Sequence, residues 1–181
     1  MKMAVFAGHG GADSGAVSGK LKEKNFTLQI SNAVSEILRS LGYSVVNNRT
    51  TDTMRSITLD AKLANESGAK ALVEIHLDSN DGTPETGSEA YVSIRDAKSG
   101  SHASKLAQAM LVRLEKLGFR NRGIFTSVSE EGYDTFGILR LTEMPAVLLE
   151  VAFINNPSDM ARMDIKSVAK AIAEGIRDYN M

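Results

Sequence analysis

The hydrophobic positions of the chain alternate between short continuous runs and longer stretches of helical spacing. The short runs are typical of buried strands, because they are apolar almost throughout and end at glycine or polar residues. We predict strands over residues 3–8, 43–46, 71–76, 89–94 and 146–150, with two weaker candidates at 123–126 and 137–141.

The longer stretches place apolar side chains three or four residues apart, which predicts amphipathic helices. One covers residues 23–41 and is stopped by Gly42, and another has an apolar face over residues 103–117 followed by Gly118. Shorter helices are predicted over residues 57–65 and around 168–176. Strands that alternate with helices favour an α/β fold, a single domain with a mainly parallel twisted sheet and helices on both faces.

Composition narrows the class of function. The 181 residues include 21 Lys and Arg against 22 Asp and Glu, a formal net charge of -1. This balance gives no basic footprint for nucleic acid and no polybasic attraction to a membrane, so we expect neither as a partner. The chain has no cysteine, which excludes thiolate metal sites and a cysteine nucleophile. Without linker-like or repeated segments, we expect one domain over residues 1–181.

Side chains that can bind metal or move protons fall where predicted strands end. His9 follows the first strand, His76 ends the third, and Glu150 ends the strand that starts at residue 146. In a parallel sheet these positions share one edge, and Glu23, at the start of the first long helix, lies near it. Two imidazoles and one carboxylate form the ligand set of open catalytic zinc sites, and the remaining carboxylate is then free to act as general base. The sequence therefore predicts that these four side chains converge.

Each of these residues also has a plain structural interpretation. A histidine at a strand end is usually a hydrogen-bonded structural residue, and a glutamate in the first turn of a helix usually complements the helix dipole. Glu150 resists this interpretation, because a carboxylate within the apolar segment 147–153 is buried and must be paired, metal-bound or protonated. Glu74, two residues before His76, is predicted to orient that ring, or less favourably to bind the metal. His102 is predicted to be a solvated residue at a helix end.

The motifs around these residues are similar to those of a known family. Residues 7–16 read Ala-Gly-His-Gly-Gly-Ala-Asp-Ser-Gly-Ala, and residues 144–159 read Met-Pro-Ala-Val-Leu-Leu-Glu-Val-Ala-Phe-Ile-Asn-Asn-Pro-Ser-Asp. With the segments 73–76, 87–91 and 122–123, and the Gly-Ile-Leu-Arg at 137–140, they resemble the zinc-dependent N-acetylmuramoyl-L-alanine amidases, the peptidoglycan amidases of bacterial autolysins and phage endolysins. The resemblance runs over nearly the whole chain, and its last stretch is the most specific.

The resemblance implies a site and a reaction. It implies His9, Glu23 and His76 as ligands of one zinc ion, and Glu150 as the catalytic carboxylate. The implied reaction is hydrolysis of the amide bond between N-acetylmuramic acid and L-alanine, in which a zinc-activated water attacks and Glu150 acts as general base. The implied partner is bacterial peptidoglycan.

Further positions bear on the substrate. Arg140 is a candidate for binding a carboxylate of the stem peptide, or equally for pairing with a neighbouring acid. The chain departs from the family at residues 6–7, Phe-Ala, where Asp-Pro is frequent, and at residues 77–78, Leu-Asp, where Ala-Asn is usual. Asp78 adds negative charge near the site, so we expect the substrate groove and the pH optimum to differ more than the reaction.

Other functions compete with this interpretation. Two alternatives stay open: a different zinc-dependent hydrolase, such as a carboxypeptidase-like enzyme, and a non-catalytic wall-binding module. A nucleotide-binding domain is excluded, because the chain lacks the glycine and the phosphate-loop residues that such a domain needs. The metal is a divalent ion whose identity, like the oligomeric state, the sequence leaves open. We expect neither an export signal nor a wall-binding domain within the chain, as in a phage endolysin released by a partner or a chain separated from its leader.

Overall fold

The elements follow the predicted alternation of strands and helices. The computed structural model describes residues 1–54, 56–82 and 85–179, so Met181, the predicted end of the domain, lies outside the described residues. In chain order, the elements are β1 (Lys2–Ala7), β2 (Val17–Ser18), β3 (Leu21–Lys22), α1 (Glu23–Ser40), β4 (Ser44–Val46), α2 (Ile57–Ser67), β5 (Ala71–Asp78), β6 (Ser88–Val92), α3 (His102–Glu115), β7 (Asn121–Phe125), α4 (Gly137–Leu141), β8 (Ala146–Phe153), α5 (Pro157–Arg162) and α6 (Ile165–Asp178).

Six strands form one sheet in the order β4-β1-β5-β8-β6-β7. The pairs among β4, β1, β5 and β8 are parallel, and so is the pair β6–β7. The one reversal is between β8 and β6, which pair antiparallel. The prediction of a mainly parallel sheet is therefore confirmed. The short strands β2 and β3 form a separate hairpin just before α1.

Helices cover both faces of the sheet, as predicted. On one face α1, α3 and α6 pack on alternate strand residues around Val5, Val73 and Leu149. On the other face α2 and α4 pack on the intervening residues, including Phe6 and Leu148. Strand β8 is buried along its whole length, which accounts for its continuous apolar run. Within the described part of the chain, no helix is both long enough and apolar enough to cross a bilayer.

One predicted strand is wrong. Residues 137–141 form helix α4, and the strand predicted over residues 89–94 ends at Val92, since Ile94 begins a short 3-10 helix over Ile94–Asp96. The α4 sequence, Gly-Ile-Leu-Arg-Leu, places apolar residues side by side. Short apolar runs of this kind occur both in strands and in buried helices, so the pattern does not separate the two. The helix buries Ile138 and Leu139 against α2 and β8, so tertiary packing decides the conformation.

Candidate active site

Three side chains from distant parts of the sequence meet at the carboxyl edge of the central strands. His9 lies in the loop after β1, Glu23 is the first residue of α1, and His76 lies near the end of β5. Each offers one ligand atom, and these atoms all lie within 4.8 Å of one another. The three residues form a cluster that could hold a metal ion, called here the His-Glu-His triad.

The carboxylate of Glu23 lies between the two imidazoles. Its Oε2 is 3.1 Å from His9 Nε2, and its Oε1 is 2.9 Å from His76 Nδ1. The backbone N–H groups of Ala16 and Leu77 donate to the same two oxygens, at 2.8 and 2.9 Å. Burial opposes ionisation of Glu23, but the hydrogen bonds with His76 and His9 hold its pKa well below the usual value. Glu23 is therefore an ionised and fixed acceptor.

The second nitrogen of each imidazole has its own carboxylate partner. His9 Nδ1 lies 2.8 Å from Asp13 Oδ2, and His76 Nε2 lies 3.3 Å from Glu74 Oε2. Burial lowers the pKa of His76, but Glu23 and Glu74 outweigh it and raise that pKa well above the usual value. These partners orient the rings, as carboxylates commonly do for metal-binding histidines. The sequence analysis predicted Glu74 in this role and missed Asp13, although it stands four residues after His9.

The loop that carries His9 is held by residues that the sequence analysis did not single out. His9 has φ 59°, a left-handed conformation that is uncommon for a residue with a side chain. Arg49, buried behind the loop, donates from Nη2 to the carbonyl of Gly8 at 2.9 Å and to Thr27 Oγ1 at 3.0 Å. Asn48 accepts from the backbone N–H of Ala7 at 3.0 Å. Both residues lie within three residues of the end of β4, so their position at the sheet edge was the available signal.

Two glycines leave the space that the triad occupies. A Cβ at Gly8 would lie 2.3 Å from Cε1 of His76, and a Cβ at Gly15 would lie 2.4 Å from Oε2 of Glu23. Gly15 also has a φ of +62°. The glycine-rich opening of the sequence is therefore required because the imidazole and carboxylate pack directly against backbone.

We expect Gly8→Ala to disrupt the triad. The added methyl group displaces the His76 ring, so metal affinity and any hydrolytic activity that depends on the triad should fall by about 10²-fold, as for a lost orienting contact. Gly82→Ala is the matched control, because neither glycine has a positive φ and the nearest atom to a Cβ there is 3.3 Å away. Equal metal affinity of the two variants in a chelator competition titration would contradict this expectation.

Glu150 stands next to His76 in the paired strands β5 and β8. It lines a cleft of about 400 Å³ together with all three residues of the triad. Only 9% of the residue is exposed, and its Oε2 has no hydrogen-bond partner among the described residues. Burial raises the pKa of Glu150 to about 8, against the lowering effect of the nearby His76. A buried carboxyl group with an unpartnered oxygen beside the His-Glu-His triad is suited to carry a proton to or from a ligand there.

The stability of the metal-free protein should depend on pH because of this buried carboxyl group. The pKa of Glu150 is raised from its usual 4.5 to about 8, so between these values the folded chain binds a proton that the unfolded chain has released. The contribution of Glu150 to the free energy of unfolding then falls as pH rises through this window, by at most about 1.4 kcal/mol per pH unit. Urea unfolding in chelator should show Glu150→Gln gaining stability relative to the wild type over the same window. A pH-independent difference would contradict the raised pKa.

A second buried glutamate adjoins Glu150. Glu89 of β6 faces Glu150 across the antiparallel pair and is 3% exposed. It accepts from the Tyr91 hydroxyl at 2.7 Å and is paired with Arg122, which also contacts Glu85. Glu89 lies in the family motif over residues 87–91, but the sequence alone predicts no place for it in the site. The reversed direction of β6, which brings the start of this strand to the cleft, is what places it there.

Arg140 and His102 lie outside the triad. Arg140 is exposed on α4, where its guanidinium stacks 4.8 Å from the ring centre of Tyr133 and donates to the carbonyl of Asp134 at 2.6 Å. Neither cavity beside His9 and His76 has Arg140 among its described lining residues, and binding of a stem-peptide carboxylate by Arg140 stays a prediction. His102 is exposed at the start of α3, as predicted, and its Nδ1 lies 2.8 Å from the Tyr179 hydroxyl.

A family profile matches almost the whole described fold. The profile is that of the N-acetylmuramoyl-L-alanine amidases, and it matches residues 3–178. The chain belongs to this family. The match takes in all four residues of the predicted site, so the family resemblance drawn from the motifs is confirmed.

A named amidase and an endolysin are similar to this family member. N-acetylmuramoyl-L-alanine amidase LytC of Bacillus subtilis (strain 168) is 31% identical over 172 residues, which cover 94% of the chain and 33% of LytC. The endolysin of Bacillus phage SPP1 is 34% identical over 173 residues, 93% of the chain and 60% of the endolysin. The chain thus spans one third and three fifths of these two relatives.

A solved amidase structure has the same fold. The catalytic domain of CwlV, an N-acetylmuramoyl-L-alanine amidase from Bacillus (Paenibacillus) polymyxa var. colistinus, aligns with a TM-score of 0.82 at 35% identity. The alignment covers 98% of the chain and 97% of that domain. This family member therefore corresponds in extent to a domain that is catalytic in a relative.

Proposed function

We propose that the chain is a zinc-dependent amidase catalytic domain that cleaves bacterial peptidoglycan between N-acetylmuramic acid and L-alanine. The observation that carries the proposal is the buried carboxyl group of Glu150 beside the His-Glu-His triad, whose Oε2 has no hydrogen-bond partner in the part of the chain that the structure describes. Family membership and the agreement in extent with the CwlV catalytic domain support the substrate. We also propose that the domain acts at the bacterial cell wall.

The chemistry of the triad fits zinc. Two imidazole nitrogens and one carboxylate oxygen are the donors of several catalytic zinc sites, which keep a fourth position for water or substrate. The ligand atoms lie within 4.8 Å of one another. Glycines at positions 8 and 15 leave room for the rings, and Asp13 and Glu74 fix their orientation. His9, Glu23 and His76 would hold the ion, and no cysteine competes for it.

Glu150 would manage the protons of the reaction. A zinc ion at the triad would supply a Lewis acid for the lactyl carbonyl and lower the pKa of water at the site. Glu150 accepts the proton of the attacking water, and the same carboxyl group then donates it to the nitrogen of L-alanine as the amide bond breaks. Its raised pKa, about 8 without metal, suits a group that must both accept and donate near neutral pH.

Digestion of purified bacterial peptidoglycan tests the proposal. The amidase should release peptides with a new L-alanine amino terminus and leave glycan strands without peptides. A carboxypeptidase-like enzyme would instead shorten the stem peptides at their carboxyl ends, and a wall-binding module would release nothing. Either of these two results would overturn the proposed function.

The metal requires a separate measurement. We expect elemental analysis of the purified protein to find about one zinc per chain, in line with a single three-ligand site. Activity on peptidoglycan should be lost in chelator and return with added zinc. Full activity of a metal-free preparation would contradict zinc dependence. It would not affect the assignment of the cleaved bond, which the digestion products test separately.

A further inference from the structure

The sheet face that carries the cleft continues beyond it over strands β6 and β7. Glu74 of β5 pairs in register with Leu148 of β8, Leu148 pairs with Tyr91 of β6, and Tyr91 pairs with Phe125 of β7. These four residues form one row across four strands, which are spaced about 4.8 Å apart. The row leads from the strand of His76 to the edge of the sheet.

Aromatic rings line this row. Tyr91 and Phe125 have ring centres 5.9 Å apart, and Tyr91 and Phe136 have ring centres 4.8 Å apart. We call Tyr91, Phe125 and Phe136 the aromatic shelf. Phe125 is 41% exposed, and the other two rings are partly exposed. Contiguous apolar surface that stays partly exposed marks a binding site more often than scattered apolar residues do.

The shelf is continuous with the candidate active site. Phe136 lines the cleft that contains Glu150 and the triad, and it also lines the smaller cavity beside Glu74 and His76. Leu148, next to Tyr91 in the register, lines both cavities as well. A substrate long enough to leave the cleft in this direction would therefore pass directly over the rings.

Space is left open along the same path. Gly123 of β7 is the register partner of Glu89, one step from the row of the shelf and nearer the cleft edge. A Cβ at Gly123 would have no other atom within 4 Å, so nothing covers the sheet at this point among the described residues. The opposite face of β6 is occupied by the core, where Ala90 and Val92 are buried.

We propose that the aromatic shelf binds the glycan strand of peptidoglycan while the scissile amide lies at the triad. This inference rests on the proposed function and names the part of the substrate that the shelf holds. Hexosamine rings present faces of C–H groups that pack on aromatic rings, whose faces carry partial negative charge. The sugars to one side of the N-acetylmuramic acid that carries the cleaved bond would thus lie over Tyr91 and Phe125.

Charge and hydrogen bonding favour sugar over stem peptide on this path. The Asp78 carboxylate lines the cleft and would repel the carboxylates of a stem peptide, whereas Glu89 is already paired with Arg122. Sugar hydroxyl groups can donate to the Asp78 oxygens. An extended peptide that lay over β8 and β6 would also find no backbone partners, because the N–H and C=O groups of these inner strands lie in the plane of the sheet and pair with neighbouring strands.

Binding of an uncharged oligosaccharide tests the shelf without turnover. In an NMR titration, the tetramer of β-1,4-linked N-acetylglucosamine should shift the amide resonances of Tyr91 and Phe125. Phe125→Ala should weaken its affinity about fivefold, the loss expected for one aromatic contact. Val112→Ala is the matched control, because Val112 is 37% exposed on α3, which packs on the other face of the sheet. The affinity of this variant for the tetramer should equal that of the wild type.

The outcomes separate the shelf from the reaction. Unchanged affinity of Phe125→Ala for the tetramer would overturn the proposal, as would shifts of the shelf resonances by the dipeptide L-alanyl-D-isoglutamine but not by the tetramer. Neither result would alter the release of peptides from walls by the wild-type protein. Failure of that release, with the tetramer still bound at the shelf, would instead overturn the proposed function.

Discussion

Replacing Glu150 with Gln should leave metal binding intact and lower kcat on peptidoglycan by about 10³-fold, the usual contribution of a general acid–base group. The amide has nearly the shape of the carboxyl group but cannot take a proton from water. Since Glu150 is outside the His-Glu-His triad, zinc content should stay the same. The measurements are the initial rate of release of L-alanine amino termini and the metal content of the purified variant.

Glu143→Gln provides the matched control for this change. Glu143 is exposed just before β8, so the same loss of charge occurs outside the cleft. We expect its rate to equal that of the wild type. If Glu150→Gln retained full activity with its metal bound, Glu150 would not be the base, and another carboxyl group of the cleft would have to be tested.

Removal of one triad histidine should abolish both metal binding and turnover. His76→Ala deletes one of the three ligands. It also removes the imidazole that now pairs with both buried carboxyl groups, those of Glu23 and Glu74. We expect bound zinc to fall from about one ion per chain to near none, and the rate to fall by more than about 10³-fold, because the metal chemistry is lost with it.

The third histidine is the control for this variant. The chain has 3 His, and His102 lies on the far helix α3, where its side chain contacts Tyr179 through a hydrogen bond and a ring contact. His102→Ala should keep full metal content and full rate, apart from a small loss of stability of about 1 kcal/mol. Zinc content of His76→Ala equal to that of His102→Ala would show that the triad is not the metal site.

The convergence of the four side chains could be predicted because it depends on strand ends. His9 follows strand β1, whereas β5 continues to Asp78 and β8 to Phe153, beyond the ends predicted at His76 and Glu150. The three strands are parallel neighbours in the sheet. The rule that parallel strands share a carboxyl edge then brings them together without knowledge of any contact. The catalytic and metal-binding roles of these residues stay predictions, which the variants above test.

Other parts of the site depend on contacts that a sequence does not display. Arg49 holds the His9 loop through carbonyl oxygens, and every residue carries a carbonyl, so no residue type marks its partners. The place of Glu89 follows from the reversal of β6, and strand direction is not encoded in an alternating pattern. The helical conformation of α4 depends on packing of Ile138 and Leu139 against α2 rather than on local preference.

The reversal of β6 also decides where the protein can be labelled. Because β6 starts beside Glu150 and runs away from it, the turn that follows the strand lies at the end of the sheet opposite the cleft. Ser99 and Gly100 are exposed in this turn. A cysteine introduced at Ser99 would be the sole thiol in the chain, and a fluorophore attached to it would lie in the cavity that Phe125 also lines, where it would report a sugar bound on the aromatic shelf.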